Sequence, residues 1–380
     1  MFLVVAAVLS AAGVFASHGN TPPFPNFGLP RVEEMMFFVL QVGVIIFAAR
    51  LGGAIASLLK LPSILGELAA GIIIGPWALG GIGFGDGIFA GGLFHGASLR
   101  SLMASEGRMI DATSPALYGI ATLASIILLF LSGLETNLKM FFKYSFVGSM
   151  VGVGGVVVSF LLGDLCAVYL LPQYFDSFKN LATMPLSQAM TQAAPLYMGI
   201  MSTATSVGIT ARILSEKKKM DSEEGVTIMA GAVIDDVLGL IVLAIGNGII
   251  AANIAAAKSG AATAAMDWGN IGFVAVKSFG VWIIATLIGV LAARWISKTV
   301  KRAFKEPVVI ATMAFGLSLL LAGFFEFMGL AMIIGAYVMG LSLSRTDLKH
   351  TIQETLSPLY TFLVPIFFCV MGMMVDVTAL

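Results

Sequence analysis

The strongest constraint in this sequence is a series of apolar segments, each close to the length that crosses a membrane. A helix needs about 20 largely apolar residues to span the hydrocarbon core of a bilayer. Ten segments after residue 30 approach or exceed that length. They are residues 33–59, 61–77, 115–133, 144–171, 193–214, 226–251, 271–296, 307–325, 330–343 and 357–375. The pattern predicts an all-α polytopic membrane protein whose main partner is the lipid bilayer.

The composition agrees with a membrane location and argues against other classes. Hydrophobic residues make up 58% of the 380 and charged residues 11%, whereas a soluble domain has about 45–50% and about 25%. The 21 basic and 21 acidic residues balance, so we expect no nucleic-acid partner. Two cysteines outside any CxxC motif and three histidines do not indicate a metal cofactor site, and we expect no cofactor.

Residues 1–17 form a separate apolar stretch, which ends before polar residues 18–20. Residues 14–16 resemble a small-residue cleavage site, although the stretch lacks a basic beginning. We therefore expect either a cleaved signal peptide or an additional helix.

The positions of lysine and arginine predict the orientation, because inner loops carry the excess of basic residues. If the helix at 33–59 starts outside, fifteen basic residues fall on the inner side and five on the outer side. Lys277 then lies within a helix. We expect an N-terminus outside, which also suits a signal peptide.

Two short patterns occur twice in the chain. Residues 66–73 resemble 335–342, and residues 127–137 resemble 366–376. In the charge-derived topology, the two copies of the first pattern cross the membrane in opposite directions. Inverted repeats are typical of secondary transporters, whose ion site lies near the membrane midplane at the repeat interface.

The repeat predicts a domain organisation. We expect a first six-helix repeat at 33–252, a linker helix at 271–298 and a partial second repeat at 306–380. By the same logic, about three further helices would complete the second repeat.

Two adjacent carboxylates, Asp235 and Asp236, lie in the middle of the apolar segment 226–251. A charge there costs about 2.5–3.5 kcal/mol on insertion scales, and neighbouring carboxylates oppose each other's ionisation. Such a pair suits a site where a proton and a dehydrated cation compete. The alternative is a pair of protonated acids that hold helices together by hydrogen bonds.

A cluster of hydroxyls precedes this pair. Ser202, Thr203, Thr205 and Ser206 fall within five residues. Such side chains bond to the nearby backbone and favour an unwound stretch, whose oxygens are hard ligands for Na⁺ or K⁺. Ordinary packing of small residues between helices is the other interpretation.

Two further acids are less distinctive. Glu67 lies about one turn into its helix, where it would face the cavity or act at a helix end. Asp164 lies near the outer end of its helix, and we expect it to reach the lipid headgroups.

Several segments, in this order, resemble the monovalent cation/proton antiporters, in the branch of bacterial sodium/proton antiporters and glutathione-gated potassium-efflux proteins. The resemblance covers residues 33–380. It rests on residues 65–76, 130–135, 204–207, 212–214, 234–236, 335–337 and 365–372.

The resemblance implies a homodimer in a bacterial inner (plasma) membrane, with a dimerisation domain and an ion-carrying core that moves like an elevator. Asp236 would be the essential carboxylate, binding Na⁺ together with Asp235 and Thr205. Ser206 would lie near the ion, and Thr203 and Glu67 would line the cavity. Members of this family also carry a lysine and a second broken helix beyond the equivalent of Leu380. We therefore expect a fragment, a truncated reading frame or a split subunit that needs a second chain.

The predicted function is exchange of Na⁺ for H⁺ by alternating access. The alternatives are exchange of K⁺ (or Li⁺) for H⁺, and a non-transporting membrane subunit of the same fold. We do not expect an enzyme. Residues 83–86 spell the GxGD of intramembrane aspartyl proteases, but they lie in a glycine-rich external loop and no helix supplies a Tyr-Asp partner.

Overall fold

The computed structural model of the protein describes residues 32–82, 93–94, 115–259 and 268–375. Three features of the sequence lie outside these ranges: the apolar stretch at 1–17, the GxGD sequence at 83–86 and Asp376 of the second repeat pattern.

Twelve α-helices and no strand occur in the described residues, which confirms the predicted all-α architecture. The helices are α1 (Val32–Leu58), α2 (Ser63–Ile74), α3 (Pro115–Glu135), α4 (Leu138–Tyr174), α5 (Leu186–Ala189), α6 (Ala193–Thr203), α7 (Val207–Glu216), α8 (Glu223–Ser259), α9 (Trp268–Ala303), α10 (Pro307–Phe327), α11 (Met332–Leu343) and α12 (Lys349–Met373). Short 3₁₀ turns follow α2 at Leu79–Gly81 and α4 at Asp176–Thr183.

Eight spans among these residues are long and apolar enough to cross a membrane, and α11 is a shorter apolar helix. The ten predicted segments all correspond to helices. The segment at 193–214 is divided between α6 and α7, because the chain leaves the helix between them.

Two helices, α4 and α12, start well before the residue that hydropathy predicts. α4 starts before residue 144 because Asn137 caps it, accepting from the backbone N–H groups of Lys139 and Met140 at 3.0 and 3.3 Å. α12 starts at Lys349 rather than at 357. Its first turns are polar, so a search for apolar residues misses them although the helix is continuous.

The chain divides into two compact units. The first combines the described residues up to Ala124 with those from Thr361 onward. Its core includes Ile45 of α1, Leu117 of α3 and Ile366 of α12, all at most 1% exposed. α1 crosses α2 at Gly52 and Gly66, where a Cβ on either glycine would overlap the carbonyl oxygen of the other.

A second close crossing in the first unit joins α2 to the end of α12. A Cβ at Gly71 would overlap the carbonyl oxygen of Cys369. In return, a Cβ at Gly372 would overlap the carbonyl oxygen of Leu68 and lie 3.1 Å from the backbone nitrogen of Ile72. The two backbones therefore touch, which only glycine permits.

The second unit, Ser125–Tyr360, contains a crossing of the same kind between α3 and α11. A Cβ at Gly340 would overlap the carbonyl oxygen of Phe130. A Cβ at Gly133 would overlap the carbonyl oxygen of Tyr337 and lie 2.8 Å from the backbone nitrogen of Leu341.

These two crossings are the same contact in the numbering of the repeat. Aligning 66–73 with 335–342 and 127–137 with 366–376 matches Gly71 to Gly340 and Cys369 to Phe130. The contact atoms correspond one by one. The internal repeat therefore has a structural counterpart inside each unit, whereas the predicted domain boundaries stay a prediction.

The rest of the second unit is built around α4, which packs along both α6 and α8. α10 packs on α11, and α11 also contacts α9. This arrangement brings the two segments that carry the predicted ion ligands, 202–206 and 235–236, into one helix bundle.

Candidate cation- and proton-binding site

The chain leaves the helical conformation between α6 and α7. Ala204 has φ −68° and ψ 111°, and Ser206 has φ −88° and ψ 100°, both extended. The hydroxyl cluster predicts an unwound stretch at this position, and the structure has it. The break separates two half-helices, α6 with 11 residues and α7 with 10.

Hydroxyl groups hold the ends of the two half-helices. Ser202 Oγ donates to the carbonyl of Gly199 at 2.7 Å, and Thr203 Oγ1 donates to that of Ile200 at 2.8 Å. Ser206 Oγ accepts from the backbone N–H of Ile209 at 3.3 Å and so caps α7. These local bonds compete with helix continuation, which is the physical reason for the break.

Asp235 of α8 faces the break. Thr205 Oγ1 donates a hydrogen bond to Asp235 Oδ2, and the side chain of Asp235 is 7% exposed. The hydrogen bond joins one residue of the unwound segment to the carboxylate pair. The structure thus brings together two of the predicted ligands, Thr205 and Asp235.

Asp236 is oriented differently from Asp235, because adjacent residues on a helix point about 100° apart. It is half-buried, and no described residue donates a hydrogen bond to its carboxylate. Its carboxylate oxygens are therefore available to a proton or a cation. That Na⁺ binds at Asp236 stays a prediction.

Glycines bring α8 close to its neighbours. Gly152 of α4 lies against α8, since a Cβ there would be 2.9 Å from the carbonyl oxygen of Gly231, one turn before Asp235. On the opposite side of the pair, a Cβ at Gly239 would come within 3.9 Å of Thr203 Oγ1. The close approach at Gly152 and the ordinary van der Waals contact at Gly239 lie on either side of the pair along α8.

The other predicted site residues occupy different surroundings. Thr203 is 3% exposed, whereas Thr205 and Ser206 are exposed at the break. Glu67 belongs to the first unit, where it is 2% exposed and its Oε1 lies 3.5 Å from the position of a Cβ at Gly53. A role for Glu67 in the same cavity stays a prediction.

Asp164 does not reach the headgroups. Its side chain is 1% exposed, and a Cβ on Gly199 of α6 would be 3.0 Å from the Cβ of Asp164. The sequence contains a signal for this: Ala167 and Val168, three and four residues after Asp164, are also buried on α4. Residues at these spacings lie on the same side of a helix, so Asp164 belongs to a face that packs against neighbouring helices.

Taken together, a carboxylate pair lies beside an interrupted helix whose hydroxyl and backbone oxygens are close by. Such a site provides oxygen ligands to a cation and carboxylates that hold a proton when the cation is absent. Within the described residues, no group of three or more His, Cys, Asp or Glu side chains could hold a metal ion.

Comparison with known proteins agrees with this chemistry. The family described as "Sodium/hydrogen exchanger, transmembrane" matches residues 44–380. The high-affinity Na⁺/H⁺ antiporter NhaS3 of Synechocystis sp. is 31% identical over 349 residues, covering 90% of this chain and 69% of that protein. The Na⁺/H⁺-K⁺ antiporter GerN of Bacillus cereus is 27% identical over 341 residues, covering 88% and 71%.

A solved structure shares the fold. The sodium proton antiporter MjNhaP1 from Methanocaldococcus jannaschii, determined at pH 8, superposes with a TM-score of 0.51 at 16% identity. The match covers 91% of this chain and 72% of that one. This likeness confirms the predicted antiporter fold.

Proposed function

Because this chain belongs to the sodium/hydrogen exchanger family, an integral membrane family of cation/proton antiporters, we propose that it exchanges Na⁺ for H⁺ by alternating access. Asp235 and Asp236 bind the proton or the cation in turn. Thr205 and Ser206 supply further oxygen ligands, and Thr203 lies at the edge of the same site.

The hydrogen bond from Thr205 to Asp235 carries this proposal. It links a carboxylate in the middle of a transmembrane helix to the unwound part of another helix. Intramembrane carboxylates are rare and mark ion or proton pathways. Broken helices at this depth are tolerated where they line a cavity and coordinate ions.

Exchange of K⁺ for H⁺ is the second candidate, and one relative favours it. The name of GerN includes both Na⁺ and K⁺, and that protein is 27% identical to this chain. Comparing Na⁺, K⁺ and Li⁺ in one assay separates these alternatives.

The proposal includes an orientation and an assembly. With the start of α1 outside, most basic residues face the inner side, as in a bacterial inner membrane. A homodimer is the expected assembly, and chemical cross-linking in membranes tests it. A second chain is required only if the purified protein fails to transport.

The test uses everted membrane vesicles from a strain without its own antiporters. Respiration builds a proton gradient that quenches a pH-sensitive dye, and Na⁺, K⁺ or Li⁺ is then added. Na⁺ should restore the fluorescence with the wild-type chain. Asp235→Asn and Asp236→Asn should abolish the response, because each replaces a proton-binding carboxylate by an amide.

Thr205→Val provides a graded test. A hydrogen bond to a charged group contributes about 1.5–3 kcal/mol, so the half-maximal Na⁺ concentration should rise about tenfold to a hundredfold. Thr312→Val is the matched control, because Thr312 is exposed on α10 and donates only to its own helix at Val308. A wild-type chain that responds to no cation refutes the proposed transport, and equal effects of the two Thr→Val variants refute the site.

A further inference from the structure

Asp164 is a buried carboxylate that the proposed site does not use. Its side chain is 1% exposed, and Oδ1 lies in the protein interior with no hydrogen-bond partner among the residues that the structure describes. Buried polar atoms nearly always have a partner, so an exception calls for an explanation.

Among the described side chains, none around Asp164 supplies a compensating charge. A cavity of about 380 Å³ borders this residue, between α4, α6 and α8. Its lining includes Val156, Phe160, Leu196 and Ile245, and of the described lining residues Asp164 alone can carry a charge. Thr191, the other polar side chain in the lining, donates to the carbonyl of Gln188. An isolated carboxylate in such a place is far less costly as the neutral, proton-bearing acid.

The cavity does not suit Na⁺. A cation that sheds its hydration shell needs several oxygen ligands, and here a single carboxyl group stands among apolar side chains. A proton needs one oxygen only. The chemistry of the lining therefore selects a proton over a metal cation.

The position of Asp164 connects it to the carboxylate pair. Asp164 packs against Gly199, and Thr203 lies one turn further along α6, about 6 Å away. Thr203 faces Gly239, which is one turn of α8, again about 6 Å, from Asp235. Measured along the helix axes, Asp164 is thus offset by about 12 Å from the pair, on the side of the break where α6 begins.

Hydroxyl groups lie between Asp164 and the Asp235–Asp236 pair. Ser202 Oγ lies within hydrogen-bond distance of the carbonyls of Ser159 of α4 (2.6 Å) and Gly199 of α6 (2.7 Å). Thr203 Oγ1 follows on the same half-helix. A hydroxyl both donates and accepts, so it can pass a proton along a chain of hydrogen bonds.

We propose that Asp164 is a second proton-binding group, which holds a proton in the 380 Å³ cavity and exchanges it with the Asp235–Asp236 pair. The inference rests on the proposed antiport. In the topology predicted from the basic residues, Asp164 lies on the outer side of the pair. Asp164 serves protons alone in this proposal, and Na⁺ binds at the pair.

The test compares two modes of transport in proteoliposomes. Exchange of radioactive Na⁺ for unlabelled Na⁺ needs no proton, whereas exchange of Na⁺ for H⁺ does. Asp164→Asn keeps the shape of the side chain but cannot exchange a proton. It should lower Na⁺/H⁺ exchange at least about tenfold, since a positioned proton-transfer group contributes about 10²–10⁴ in rate. Na⁺/Na⁺ exchange should stay within about twofold of the wild type.

Two further variants separate this role from packing. Asp164→Glu restores a carboxyl and should recover part of the Na⁺/H⁺ exchange. Cys166 lies on the exposed face of the same helix, two residues from Asp164. Cys166→Ala should therefore change neither Na⁺/H⁺ exchange nor Na⁺/Na⁺ exchange. If Asp164→Asn leaves Na⁺/H⁺ exchange intact, or lowers both modes equally, the proposal is wrong.

An infrared measurement keeps the proposal testable apart from transport. The C=O stretching band of a protonated carboxyl should lose intensity in Asp164→Asn relative to the wild type, in protein shown by gel filtration to be folded. An unchanged band overturns the proposal even if the chain exchanges Na⁺ for H⁺. Absence of any exchange by the wild type refutes the antiport instead, and the band then decides whether Asp164 holds a proton.

Discussion

Replacing Gly340 by alanine tests the direct backbone contact between α3 and α11. The new Cβ would overlap the carbonyl oxygen of Phe130 and lie 2.9 Å from the backbone nitrogen of Leu134. Both neighbours are backbone atoms, so no side-chain rotation can relieve the overlap. Since van der Waals contact needs about 3.5 Å, the helices must separate by roughly an ångström.

The cost follows from this separation. Overpacking of a well-packed interior costs about 1–3 kcal/mol, and occasionally more. Alanine also gains about 1 kcal/mol of helix propensity over glycine, which would hide part of the loss. Gly316→Ala on α10 is therefore the control, because nothing lies within 4 Å of its new Cβ and it gains the same propensity.

The assay is unfolding of the purified variants in mixed micelles titrated with a denaturing detergent, followed by helical circular dichroism. The free energy of unfolding should be about 1–3 kcal/mol lower for Gly340→Ala than for Gly316→Ala. Gly71→Ala in the first unit should be destabilised by a similar amount, because it meets the carbonyl of Cys369 in the equivalent way. Equal stability of Gly340→Ala and Gly316→Ala would refute the close backbone contact.

Three smaller changes follow from other contacts. Asn137→Ala removes the cap of α4 and should lower the free energy of unfolding by about 1 kcal/mol, with Asn137→Ser near the wild type. Tyr337→Phe deletes the buried hydrogen bond to Thr136 and should cost about 0.5–1.5 kcal/mol in the same titration, without changing Na⁺ affinity. Gly246→Ala should cost less than Gly340→Ala, because its Cβ meets only side-chain atoms, of Ile200 and Leu196, and the end of the Ile200 side chain can rotate away. Equal losses for the two glycine variants would contradict this distinction between backbone and side-chain neighbours.

Much of the fold can be predicted from the sequence, because lipid requires each spanning segment to be both apolar and long. The ten predicted segments correspond to helices for that reason. The polar start of α12 at Lys349 was missed, since helices continue beyond the apolar region and hydropathy does not record their ends. The sequence similarity between the two copies of the repeat is weak. Their close crossings use backbone atoms of Phe130 and Cys369, so the side chains at these positions can differ.

The site is predictable in its parts but not in its arrangement. Adjacent acids in a membrane segment and four hydroxyls within five residues indicate an ion site from composition alone. Which carboxylate meets the break depends on the rotation of α8 about its axis, and that rotation depends on tertiary packing such as the contact of Gly231 with Gly148 of α4. Its distance from the end of the helix predicts that Asp164 reaches the headgroups, whereas its face on α4 decides its burial.

The break at residues 204–206 also brings two helix ends next to Asp235. The carbonyl end of α6 carries a partial negative charge and the N–H end of α7 a partial positive one, each about half an elementary charge. These dipoles belong to the main chain. Substitutions at Thr205 or Ser206 can therefore weaken the polarity beside Asp235 but cannot remove it, and only a sequence that restores a continuous helix through 204–206 would do so.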